Sequence, residues 1–206
     1  MISISVAEAI EEFKKGNPLI ILDQEHRENE GDLVIPAEKI TPDLVNLFIT
    51  LGRGLLCTPI SPEIADQLNF HPMTQNPDDE TCNFAISVDA RENFHTGIST
   101  QERCDTILKM LDASAKPRDF IRPGHIFPVL AKKGGVLERA GHTETTIELC
   151  TLSGMKEVGV ICEILNKDGT MARLPDLQKI SEKTGIKLFT VEKLIEFMTK
   201  LYPQKI

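Results

Sequence analysis

The chain has 206 residues and carries 23 Lys plus Arg against 31 Asp plus Glu, a formal net charge of −8 that argues against a general nucleic-acid binder. Its 41% hydrophobic and 26% charged fractions are those of an ordinary globular protein. No apolar run approaches the roughly 18 residues needed to cross a bilayer, so neither disorder nor membrane integration is expected. The length fits a single domain over 1–206 whose core needs no staple, and five cysteines without a CxxC pair fit a reduced, cytoplasmic setting.

From the N-terminus, Ser5 followed by Glu8 is a capping-box pattern, Val6, Ile10 and Phe13 recur at helical spacing, and Gly16 supplies a stop. Met1 to Gly16 lacks a basic leader ahead of an apolar core, so no export is expected. Pro18 to Asp23 reads as a buried strand that opens into a polar loop. Thr41-Pro42 then starts a helix with Leu44, Val45, Leu47, Phe48 and Leu51 on its apolar face, ending near Gly52. Gly54 to Thr58 reads as a strand, Ser61-Pro62 opens a short helix, and His71 to Thr81 is a polar loop. In the strand after it, Phe84, Ile86 and Val88 alternate to one side. Ser99 and Glu102 form another capping box before Ile107, Leu108 and Leu111, which makes Asn93 to Thr100 a loop delivered to a helix N-terminus. Three prolines between Lys116 and Pro128 predict an irregular stretch. Thr143 to Leu152 is helical, and Val158 to Leu165 is a strand turning at Asn166 to Gly169 into Thr170 to Leu174. A helix near Asp176 to Thr184, a strand at Ile186 to Phe189 and a helix from Val191 finish a mixed α and β pattern with no repeat or linker.

Four constellations carry chemistry. Glu28, Glu30 and Asp32 follow the first strand at spacings of two; in an extended loop they share a side and repel unless a cation or proton neutralises them. Such an oxygen cluster suits magnesium or manganese, although a solvated acidic loop is the plainer reading of this segment alone. Arg139-Ala140-Gly141-His142-Thr143 precedes a helix, where unpaired N–H groups, the positive dipole end and Arg139 with Thr143 suit a phosphate, and an ordinary Thr cap on a surface helix accounts for the pattern equally well. His125 is held between Pro123 and Pro128; histidine is the residue type suited to acid or base work near neutrality, but a hydrogen-bonded structural histidine is the plainer reading. Glu163 interrupts the apolar run Gly159 to Leu165; a core-facing carboxylate must be paired, coordinated or protonated, and periodicity leaves its face open. His95 to Ser99 with Arg103 reads first as capping, and Cys57 as a buried small apolar side chain.

Taken together, Asp23 to Asp32, Thr96 to Ser99, Arg122 to Pro128, Arg139 to Glu144 and Cys162 to Arg173 closely resemble 3,4-dihydroxy-2-butanone 4-phosphate synthase, over nearly the full chain and in the family's order. The resemblance implies an α+β fold, a single-domain sheet core flanked by helices. It implies conversion of D-ribulose 5-phosphate to formate and a four-carbon ketone phosphate in riboflavin biosynthesis, without an organic cofactor. Glu28 and His142 match the family's ligands of divalent magnesium or manganese, two ions per site. Arg27, Glu28, Asp32, Arg139, Ala140, Gly141, His142, Thr143 and Glu163 match its substrate contacts, and His125 and Glu163 match positions essential for catalysis. A homodimer with active sites near the interface is implied, with no nucleic-acid or membrane partner.

Two departures stand out. Ser99-Thr100-Gln101-Glu102-Arg103 replaces the family's Ser-Ala-x-Asp-Arg, so the acid is one methylene longer, and Ala140 replaces a frequent glycine. Many relatives continue into a GTP cyclohydrolase II domain; here Tyr202-Pro203-Gln204 leads to Ile206, and a monofunctional chain is expected. A metal-dependent sugar-phosphate hydrolase, or a regulatory domain that binds a phosphorylated metabolite, would use the same features.

Overall fold

The computed structural model describes residues 3–74, 82–92 and 94–203. Its strands are β1 (Leu19–Leu22), β2 (Gly31–Pro36), β3 (Cys57–Ile60), β4 (Val88–Ala90), β5 (Phe120–Leu130), β6 (Gly159–Glu163) and β7 (Lys187–Thr190). They form one sheet in the order β4-β5-β3-β6-β2-β1-β7. Pairing is mixed: β1 to β7 and β3 to β5 are parallel, and the other neighbours antiparallel. The helices are α1 (Val6–Lys15), α2 (Pro42–Leu47), α3 (Pro62–Leu68), α4 (Thr100–Met110), α5 (His142–Leu152), α6 (Leu174–Thr184) and α7 (Val191–Leu201).

Alternation along each strand divides the core into two layers. Ile20, Leu33, Ile35, Val160 and Cys162 face one side, against Val45 of α2, Leu68 of α3, Ile107 of α4 and Leu177 of α6. Leu19, Ile21, Val34, Ile161 and Phe189 face the other, against Phe13 of α1, Leu149 of α5 and Leu194 of α7. Central strands are therefore buried on both faces, which is why β1 reads as an unbroken apolar run. Phe13 is fully buried; truncating it to Ala costs about 3–5 kcal/mol. Its helix is held at both ends as the sequence predicts, with the Ser5–Glu8 capping box complete and Gly16 left-handed at φ 80°.

Several expectations are corrected. The stretch up to Pro128 is not irregular: β5 runs unbroken through it, because the register with β4 jumps from Val88↔Ile126 to Asp89↔Ile121. Pro123 and Gly124 fall inside that bulge, where no ladder N–H is lost. The alternation of Phe84, Ile86 and Val88 fails; Ile86 is 46% exposed while Ala85 is fully buried, and β4 begins only at Val88. The strand expected at Gly54 to Thr58 sits later, at Cys57–Ile60. Thr170 to Leu174 makes a single bridge, Met171 to Leu165, before α6 starts. The acidic run does not stay in a loop, since Gly31 and Asp32 open β2. Part of the His71 to Thr81 loop, Asn93 and the last three residues lie outside the described residues. Among the described residues, no helix is long and apolar enough to cross a membrane.

Candidate active site

The site forms where β1, β2 and β6 meet the start of α5. His142 is the first residue of that helix and is buried, its Nε2 3.1 Å from the carbonyl oxygen of Ile21 on β1. A carbonyl oxygen only accepts, so Nε2 carries the hydrogen and donates. In the neutral ring the Nδ1 lone pair is left, and it faces Asp32 Oδ2 at 3.8 Å and Glu28 Oε2 at 4.0 Å. One hydrogen bond thus orients the imidazole and selects the nitrogen offered to a ligand.

Glu28 is carried by a loop built around Asp23, the buried residue after β1. Asp23 accepts the amides of Glu30 at 2.8 Å and Glu28 at 3.3 Å, and the Arg27 guanidinium at 2.6 Å. Arg27 also donates to Glu28 at 2.7 Å, while Arg173, ahead of α6, donates to the carbonyls of Glu28 and Asn29. Asp23, Glu28 and His142 each offer a ligand atom, all within 4.8 Å of one another. The sequence reading passed over Asp23; its signal was an acid ending an apolar strand beside an acidic loop.

Asp32 on β2 lies directly opposite Glu163 on β6. Burial pushes the Asp32 carboxyl up to about 7, with Glu163, Glu28 and Glu30 adding to the rise and His142 opposing it. Asp32 Oδ1 is buried without a hydrogen-bond partner. Burial, with Glu28 beside it, also raises Glu30. Glu163 turns into the site, its Oε2 held by the Leu55 amide at 2.7 Å. Gly54 permits this, because a Cβ there would lie 2.4 Å from that oxygen.

These groups line a cavity of about 150 Å³ together with Arg139, Thr143 and Cys57. Burial raises the Cys57 thiol far above its ordinary range, so the side chain behaves as a small apolar wall. Arg139 donates to the buried Glu144 at 2.9 Å, which balances its charge, while its Nε is buried without a partner. Thr143 is not the cap: Gly141 occupies that position, and Thr143 is the buried second residue of the helix. Ala140 and Gly141 are outside the lining; Ala140 packs on the apolar layer, and a Cβ on Gly141 would strike Arg139 at 2.3 Å. His125 is also outside it, on β5 with its side chain 41% exposed. A cavity of about 230 Å³ between Ser61, Lys133 and Thr151 contains none of the predicted site residues.

The ligand atoms of Asp23, Glu28 and His142, with the Asp32 carboxylate 3.8 Å from His142 Nδ1 and its other oxygen unpartnered, make a donor set that fits a hard divalent cation. Residues 7–197 match the family 3,4-dihydroxy-2-butanone 4-phosphate synthase. The chain belongs to that family. It is 51% identical over 197 residues to the riboflavin biosynthesis protein RibBA of Bacillus subtilis, covering 95% of this chain and 49% of that protein. The chain spans about half the length of the curated relatives it matches. Among solved structures, the Candida albicans synthase superposes with a TM-score of 0.89 at 39% identity, covering 96% of this chain and 99% of that one. A synthase in complex with two magnesium ions gives a TM-score of 0.90 at 34% identity, covering 96% and 97%. The seven-stranded sheet between helix layers is thus the fold of this family, as the resemblance implied.

Proposed function

We infer that the chain is a 3,4-dihydroxy-2-butanone 4-phosphate synthase of riboflavin biosynthesis, a carbon–carbon lyase that releases C4 of D-ribulose 5-phosphate as formate. The observation that carries this reading is the convergence of Glu28, Asp32, His142 Nδ1 and Glu163 on one small cavity beside Arg139. In this reading Glu28 and His142 would hold magnesium or manganese, two ions per site; a relative solved in complex with two magnesium ions supports the choice of cation. When bound, the cation stabilises the negative charge that builds as the proton beside the ketose carbonyl is lost.

The remaining roles belong to the side chains. Asp32 and Glu163, facing one another, are the acids available for the first proton abstraction and for the transfers that dehydration, skeletal migration and formate loss require. Arg139 and Thr143 hold the phosphate end, and Arg27 lines the same cavity. The functional unit is a cytoplasmic homodimer with its sites near the interface. His125, exposed and outside the cavity of its own chain, serves the site of the partner.

The test is a carbon NMR time course on labelled ribulose 5-phosphate with magnesium or chelator, beside Glu28→Ala and His142→Ala. Metal-dependent formate and a four-carbon phosphate, lost in both variants, are expected. Free phosphate without formate sinks the reading in favour of a hydrolase.

A further inference from the structure

His125 is held by more contacts than its exposure requires. Asp89, only 1% exposed on β4, places one carboxylate oxygen 2.9 Å from the His125 amide and the other 2.8 Å from its Nδ1. Backbone and ring are fixed by a single buried side chain. Gly97 roofs this pair: a Cβ there would lie 2.3 Å from Asp89 Oδ2 and 2.5 Å from His125 Nδ1, and its φ of 80° disfavours any other residue.

The roof has its own anchor. Glu102, on the first turn of α4, accepts the amides of His95 at 2.8 Å, Thr96 at 2.9 Å and Gly97 at 2.9 Å through one oxygen. Its second oxygen takes the Ser99 hydroxyl at 2.7 Å. The Gly97 amide, then the Ser99 hydroxyl and the His95 amide, hold Glu102 far below the ordinary carboxylate range, so it stays ionised and binds the loop at any working pH.

We propose that Asp89 is the positioning residue of His125, locking the ring with Nδ1–H toward the carboxylate and a bare Nε2 toward solvent, beneath a roof that Glu102 pins. Free imidazole favours hydrogen on Nε2, so this arrangement reverses the intrinsic preference and supplies a proton acceptor at the exposed nitrogen. The proposal rests on the reading of His125 as a residue the reaction needs.

The tautomer is read by long-range proton–nitrogen NMR on protein with labelled histidine, at a pH where the nitrogen shifts themselves show the ring neutral. His125→Gln identifies the relevant signals among the five histidines. The Nδ1–H form is expected in the unaltered protein, and the Nε2–H form in Asp89→Asn, whose amide donates where the carboxylate accepted. Turnover of ribulose 5-phosphate by Asp89→Asn should fall about 10²-fold or more in kcat, with KM within about threefold. Gly97→Ala, which leaves Asp89 in place, should lower kcat in the same sense if Asp89→Asn does not fold. An Nε2–H form in the unaltered protein overturns the proposal with no variant at all. Unchanged kcat in a folded Asp89→Asn also overturns it. Full activity in His125→Gln overturns it by a separate route, because the histidine reading then fails whatever the tautomer.

Discussion

Asp32 and Glu163 face each other across the β2–β6 ladder, and the more buried of the two carries an oxygen with no hydrogen-bond partner. Two carboxyl groups in that relationship resist joint ionisation, so a proton or a cation between them decides the charge of the site.

The pH dependence follows from Asp32, raised from 3.8 to about 7. Between those values the unfolded chain has released the proton and the folded one retains it, so without metal this group makes stability fall as pH rises toward 7 and flat above it. The ceiling of that effect is on the order of 4 kcal/mol. Magnesium needs the ionised form, so the thermal shift it produces should grow from pH 5.5 to 8 and shrink in Asp32→Asn. A magnesium shift equal at all pH values would contradict the assignment.

Asp23 supports the ligand loop through three contacts. Its replacement by Asn weakens both the charge and the loop geometry. Calorimetric titration with magnesium should show affinity lowered by about 10–100-fold, the range found when groups that orient metal ligands are altered. Unchanged affinity would reduce Asp23 to a structural turn residue.

Because His125 stands outside its own chain's cavity, it can be separated from Glu163 genetically. His125→Gln and Glu163→Gln subunits, each inactive alone, should regain activity when mixed as dimers. Half of a random mixture pairs unlike chains, and each such dimer has one intact site, giving about a quarter of full activity. No recovery in verified mixed dimers would place His125 in the site of its own chain.

Gly54→Ala puts a methyl group 2.4 Å from Glu163 Oε2 and 2.6 Å from its carbonyl oxygen. Overpacking of this kind costs about 1–3 kcal/mol. Turnover should fall more steeply than stability, as followed by formate release beside a denaturant melt, because the displaced group lines the cavity. A loss of stability with kcat intact would show that Glu163 tolerates the shift.

Local signals in the sequence carried much of the fold. The Ser5 and Ser99 caps and the left-handed Gly16 and Gly185 stand where side-chain chemistry demands them. What failed was non-local. The bulge that lets Pro123 sit within β5 exists only because β4 slips past it, and Ile86 is exposed because its stretch joins the sheet by isolated bridges rather than as a strand. At the site, Glu28, Asp32, His142, Thr143 and Glu163 come together from separated blocks. Asp23 was overlooked because its contacts are mostly to backbone amides, which leave no residue pattern, and His125 is held by Asp89, a residue distant in sequence that no local motif names.

Arg27 has a consequence for how the protein matures. Its guanidinium bridges Asp23 and Glu28 at 2.6 and 2.7 Å, so the acidic loop carries its own counter-ion. A loop neutralised from within assembles before any metal arrives, in contrast to small metal domains that collapse when stripped. Loading would then be an exchange in which an incoming ion takes over oxygens already held by an arginine, and a chelated preparation is expected to remain folded.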